Sequence, residues 1–189
     1  MNMSLPSTLQ ALVDLWHASR ESGMAIPERS RFDPMSLGKL LPHVHLLEFH
    51  GRDALVYRLS GTAELRRLGS DTKGEDYFDL TDAAAGAYLR RNMHTIAFHP
   101  AGVVVETRET HADGREVPTV FIALPLRSVA EERDFIVAIV EIQDDGQNRG
   151  RPPFFDQQRA PWSDRVVAVY PYDLGFGLPP VSPYTAAAT

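Results

Sequence analysis

Residues Tyr57 to Thr62, YRLSGT, constrain the fold more tightly than any other stretch. Tyr57 to Ser60 belong to an alternating, strand-like run, Gly61 gives a tight exit, and Thr62 is placed to cap a helix that starts at once. The spacing predicts that this helix is short, with Leu65 and Leu68 on one side and Gly69 at its end. The order of elements along the chain, two strands, helices and then a three-strand meander, is that of an α+β fold.

The segments around it fill in that outline. Leu9, Leu12, Val13 and Trp16 recur at i, i+3, i+4 and i+7, and Ser7 with Gln10 has capping-box spacing, so residues 7–21 are expected to form an amphipathic helix stopped near Gly23. Asp33-Pro34 supplies an N-cap and a first-turn proline for a second short helix carrying Leu37, Leu40 and Leu41, which Pro42 ends. Val44–Phe49 and Ala54–Ser60 read as a strand pair joined by the short loop His50-Gly51-Arg52-Asp53. Residues 71–80 read as an irregular or single-turn segment. Thr81 or Asp82 then caps a helix with Ala85, Leu89, Met93 and Ile96 on one face, stopped by Pro100. Three strands follow over 102–110, 117–126 and 134–142, with a hairpin signal at Asp113-Gly114 between the first two.

Past residue 143 the character changes. The last stretch holds seven of the chain's 14 prolines, so it reads as an extension, with Val166–Tyr170 as a strand that would lie on a sheet edge or on a partner. With 189 residues, the expected organisation is an N-terminal helix over 1–25, one domain over 26–143 and the extension over 144–189.

Composition narrows the function classes. A net charge of -6, with the 19 lysines and arginines scattered, removes the basic footprint of a nucleic-acid binder. No apolar run is long enough to span a bilayer, and a cytoplasmic setting is expected. The absence of cysteine excludes disulfides, thiolate metal sites, a cysteine nucleophile and the usual cysteine adduct of a flavin photosensor. There is no Gly-x-Ser-x-Gly, phosphate loop or metalloprotease helix, and Glu131-Glu132 reads as a solvated loop pair. An enzyme is therefore not expected.

Taken together, Pro27-x-Arg29-x-x-x-Asp33-Pro34, Leu41-Pro42, Tyr57-Arg58, Gly61-Thr62, Gly69, Gly74 and Leu124-Pro125-Leu126 make residues 27–142 resemble the PAS domains, in particular small bacterial proteins built on a single one. The resemblance implies a five-stranded antiparallel sheet of spatial order 2-1-5-4-3 with helices on one face around a small pocket. It also implies a sensory or regulatory module, working through a small ligand or through protein contacts. In such domains the pocket holds haem, flavin, a carboxylic acid or another small ligand, or is empty and the domain serves as a docking surface, so no cofactor is assigned.

Candidate pocket residues are Leu46, Tyr57, Arg58, Leu65, Tyr88, Leu89, Ile96, Phe121 and Ile139, most of which would serve equally as plain core. Strand alternation sets Arg58 on the opposite face from Tyr57 and Leu59. Facing inward, it would need an anionic ligand; otherwise it fixes the turn through an internal ion pair. Arg29 and Asp33 could pair across the entry segment. His43-x-His45 puts two rings on one side of a strand, and His94 would be the helical candidate for a haem ligand, but the spacings make no metal set. Leu9, Leu12, Val13 and Trp16 either cover the open side of the sheet or form a homodimer seam, and the seam is the favoured reading. The function expected is a PAS regulator that signals to a protein partner; the alternative is a small α+β enzyme or carrier with a titratable group in an apolar pocket.

Overall fold

A computed structural model describes residues 4–68, 71–110, 116–143 and 164–187. Its helices are α1 (Ser7–Ala18), α2 (Thr62–Leu68) and α3 (Ala83–Ala97). Its strands are β1 (Val44–His50), β2 (Ala54–Ser60), β3 (Ala101–Thr110), β4 (Glu116–Ser128), β5 (Arg133–Ile142), β6 (Asp164–Asp173) and β7 (Tyr184–Thr185). Tight 3-10 turns occupy Arg29–Arg31, Pro34–His43 and Tyr77–Leu80. The Asp113-Gly114 hairpin, Gly69 and residues 144–163 and 188–189 of the proline-rich stretch lie outside the described residues.

The strands form one antiparallel sheet in the order β2-β1-β5-β4-β3-β6-β7. The expected 2-1-5-4-3 core is present, but the sheet has seven strands, not five. β6 pairs with β3 from Ala101↔Asp173 to Glu109↔Asp164, and β7 adds two residues on its far side. The C-terminal extension therefore completes the sheet: Val166 and Val169 enter one core cluster and Leu174 the other.

Alternation gives the sheet two apolar faces. On the inner face, Leu47, Phe49, Leu55 and Tyr57 pack against Leu89, Met93 and Ile96 of α3. On the outer face, Val44, Ile122, Leu124, Leu126, Val137 and Ile139 pack against α1. Helices thus cover both faces, not one. Strands buried on both sides read as continuous hydrophobic runs, as Phe135–Val140 does.

The face of α1 is the clearest correction. Leu9, Leu12 and Trp16 are fully buried and Val13 nearly so, all against the chain's own sheet, so they are not available as a dimer seam. Burying each such side chain contributes about 1.5–3 kcal/mol. Trp16 also donates its indole N–H to the Pro125 carbonyl at 2.7 Å. Proline inside β4 costs little, because β3 pairing stops at Ala123 and leaves Pro125 bonded only towards β5. The capping box is not formed: Pro6 occupies the N-cap, where its missing N–H loses nothing, and the helix ends at Ala18, with the Ser19 hydroxyl turned back to Leu15 O at 2.8 Å.

Asp33 caps its segment as expected, accepting from Met35 N at 3.0 Å, but Gly38, at φ 53°, breaks Pro34–His43 into two tight turns where one helix was expected. Gly61 is dictated by proximity. A Cβ there would lie 2.1 Å from the Pro42 carbonyl oxygen, so the exit of β2 passes flush against the Leu41-Pro42 backbone.

Candidate functional site

Between α3 and the inner face lies a cavity of about 30 Å³ lined by His45, Leu47, Leu55, Tyr57, Tyr77, Met93, Thr107, Glu109, Thr119, Phe121, Ala123, Ile136, Ala138 and Val140. Its origin is in the register. His45 pairs with Ala138, and Ala138 pairs with Ala123, so two alanines sit side by side at the centre of the sheet where larger side chains would fill the space. Such a volume admits roughly two waters. Pockets for drug-sized ligands start at about 300 Å³, so a flavin or haem has no room in this conformation.

Polar groups flank the cavity on two sides. At one side, Thr107 and Thr119 lie directly opposite each other on β3 and β4 with their hydroxyls 2.5 Å apart, and Thr119 also donates to Glu109 at 3.3 Å. All three are buried. At the other, His45 Nδ1 lies 3.1 Å from Ser60 Oγ, which lies 2.7 Å from Thr72 Oγ1. Glu64 of α2, 2% exposed, sits between the two histidines of the His43-x-His45 motif, with Oε1 3.0 Å from His43 Nδ1 and Oε2 3.7 Å from His45 Nε2. Buried polar groups are tolerated because they are paired, and these pairs tie β1, β2, α2 and the Thr72 loop together.

Ser60, His45 and Glu64 have the composition of a nucleophilic triad, and Ser60 Oγ lies between His45 Nδ1 and Thr72 Oγ1. Among the described residues, no group of three or more acidic or histidine side chains is arranged to hold a metal ion.

One wall of the cavity is held by an irregular segment. Gly74 N bonds to Tyr57 O at 2.9 Å, and Tyr57 N bonds to Glu75 O at 3.0 Å, so this stretch lies along the free edge of β2 and sets Tyr77 against the cavity. Asp76 accepts from Leu55 N and Phe78 N at 3.1 Å and pairs with Arg90 of α3 at 3.0 Å; Arg90 also reaches Asp79 at 2.6 Å. The wall and the helix are therefore mechanically linked.

The expected pocket residues divide sharply. Tyr57 and Phe121 line the cavity. Leu89 and Ile96 are inner core behind it, and Met93, between them on the same helical face, is the residue of α3 that reaches it. Leu46 and Ile139 belong to the outer face, the opposite strand parity. Leu65 is half-buried on α2 and is not among the described lining residues. Tyr88 holds the C-terminal segment instead, donating to Ser182 O at 2.8 Å, with its ring 5.4 Å from that of Tyr184; burial raises its pKa. Arg58 points to the outer face and pairs with Glu48 at 3.1 Å, next to Arg133 at 2.8 Å from the same carboxylate, so it is not a pocket contact. His94 is paired with Asp134 at 3.3 Å and packed against Phe49 and Phe98 rather than facing the cavity. Arg29 does not pair with Asp33: its guanidinium lies 5.0 Å from the centre of the Phe135 ring.

Residues the sequence did not single out include Glu64, Thr72, Tyr77, Glu109 and the Thr107–Thr119 pair. The available signal was polarity at positions of inner parity, two residues apart on β3 for Thr107 and Glu109. In comparison with known proteins, a family model described as a PAS domain matches residues 3–140. No curated protein matches the chain. No helix among the described residues is long and apolar enough to cross a membrane.

Proposed function

We propose that this chain, which belongs to the PAS-domain family, is a sensory module whose inner cavity takes a small polar ligand and whose output is a protein contact made through the helices around it. PAS domains commonly bind small ligands or mediate protein interactions and are typically sensory, not catalytic; the specific ligand pocket and the output surface are our reading. The observation that carries it is the cavity with a polar group on each side, His45, backed by Ser60 and Thr72, and the buried Thr107–Thr119–Glu109 set, flanking an apolar centre floored by Ala123 and Ala138. A plain core would fill that centre, and a docking module would not need buried hydrogen-bonding groups there.

A ligand of a few heavy atoms hydrogen-bonds the threonine pair or the His45 relay. A larger one must displace Tyr77 and its segment, which pulls on α3 through Asp76–Arg90 and on α2 through His45–Glu64. Ligand and partner are then coupled by differential binding to two arrangements of residues 62–99. No chemical step is required, and the module acts in the cytoplasm.

Native mass spectrometry and an absorption spectrum of the untagged protein test this. Ala123→Leu adds bulk at the cavity floor. A low-mass non-covalent adduct present in the wild type and lost in the folded variant is the expected result. A clean apo mass in both would turn the assignment to a docking module without a ligand.

A further inference from the structure

A second site lies on the other face of the sheet. Between the tight turns at 29–43 and the ends of β1 and β2 runs a groove of about 650 Å³ whose walls include Phe32, Leu41, Leu46, Leu126 and Val137. This volume lies within the range of small-molecule sites, about 300–1,000 Å³, and is far larger than the inner cavity. Its rim is apolar and open: Met35 is 68% and Leu59 53% exposed.

Arg29 lines the groove. Its Nε is shielded from solvent and has no hydrogen-bond acceptor, its guanidinium lies over the Phe135 ring, and among the described residues no ion pair is formed to it. Other arginines of the chain are treated differently: Arg58 and Arg133 share Glu48, Arg127 takes Asp134, and Arg90 of α3 takes Asp76 and Asp79. The adjacent Glu28 is turned away, accepting from Val129 N at 3.1 Å. Asp33 is used by Met35 N and Ser36 Oγ. Arg29 is thus a cation on the groove wall with no carboxylate partner among the described residues, and an anionic head entering the groove would supply one.

We infer that this groove binds an amphiphilic monocarboxylate, with its head on Arg29 and its apolar tail along Leu46 and Leu59. Arg29 is the one charged residue among the lining residues; Ser30, Ser60 and Thr62 are the polar ones and most of the rest are apolar, which sets this chemistry: one negative charge, one hydrocarbon chain. The groove and the inner cavity have no lining residue in common, and Ser60, which lines the groove, bonds to His45 of the cavity.

The test uses the full chain, decanoate as probe and 1-decanol as the uncharged match, followed by amide NMR and calorimetry. Decanoate is expected to bind saturably, shifting the amides of Phe32, Leu41, Leu46, Leu59 and Thr62, and to bind at least tenfold tighter than decanol. Arg29→Gln should remove that tenfold preference without changing decanol binding. Leu59→Glu, at an exposed site that tolerates charge, should weaken decanoate at least tenfold and keeps the test decisive if the Arg29 variant does not fold. Equal affinity for acid and alcohol, shifts confined to the inner cavity, or no saturable binding overturns the inference. A response only to an apolar peptide with a free C-terminal carboxylate also overturns it and assigns the groove to a protein partner.

Discussion

Replacing Trp16 by alanine removes a side chain that is fully buried and that donates a 2.7 Å hydrogen bond to Pro125 O. Large-to-small changes of this kind cost about 3–5 kcal/mol when the surroundings cannot collapse. Collapse is restricted here, because Trp16 lies in a cluster with Leu124, Leu126 and Phe135, which are fixed by the β4–β5 ladder. For a chain of this length each kcal/mol shifts Tm by about 2–4 °C, so Trp16→Ala should melt roughly 6–20 °C lower. Trp16→Phe separates packing from polarity: it keeps most of the ring and leaves the Pro125 carbonyl without the indole donor, for about 1–3 kcal/mol. Urea denaturation at two protein concentrations tenfold apart measures both. The reasoning requires losses independent of concentration, since α1 docks on its own sheet. A Trp16→Ala loss below 1 kcal/mol, or stability that rises with concentration as a subunit seam would give, refutes it.

Three further outcomes follow from the same packing. Gly61→Ala forces a Cβ into the Pro42 carbonyl, a backbone atom that cannot swing aside, so the variant should lose about 1–3 kcal/mol or more by the same denaturation assay. Arg58→Ala should cost only about 1 kcal/mol, because Arg133 still neutralises Glu48; the Arg58→Ala/Arg133→Ala double variant should lose more than the sum, which a double-mutant cycle measures. Tyr170 has its pKa raised above the usual 10.0, first by burial and then by its hydrogen bond to Glu106. A raised folded-state pKa gives stability that is complete below pH 10 and lost as pH climbs above it, so thermal melts should weaken from about pH 10 upward and Tyr170→Phe should flatten that fall.

How far the sequence could be read depended on whether the signal was local. β2 begins and ends where the alternation placed it, and the recurrence of Ala85, Leu89, Met93 and Ile96 found the buried face of α3. The pocket was harder because α1 and α3 cover opposite faces, which makes both parities apolar: Leu46 and Leu47 look alike in sequence but lie on opposite sides of the sheet. Ala123 and Ala138 look like ordinary core until register sets them side by side. Prolines hid β6 as a full strand. Pro171 is tolerated because β7 pairs only with Ala168 and Val169, leaving that part of β6 as a sheet edge. Glu64 carries no local signal, because its partners His43 and His45 lie just before β1 and on it, a strand and a turn earlier in the chain.

The central claim, that the inner cavity is the sensing site, is tested most directly by the amide NMR spectrum of the protein stripped of small molecules by unfolding and refolding, before and after the released fraction is returned. The account predicts saturable shifts at His45, Tyr57, Ser60, Thr72, Tyr77, Thr107 and Thr119, propagating to Arg90, and no response in Ala123→Leu. Superimposable spectra, or shifts that avoid those residues, would contradict it.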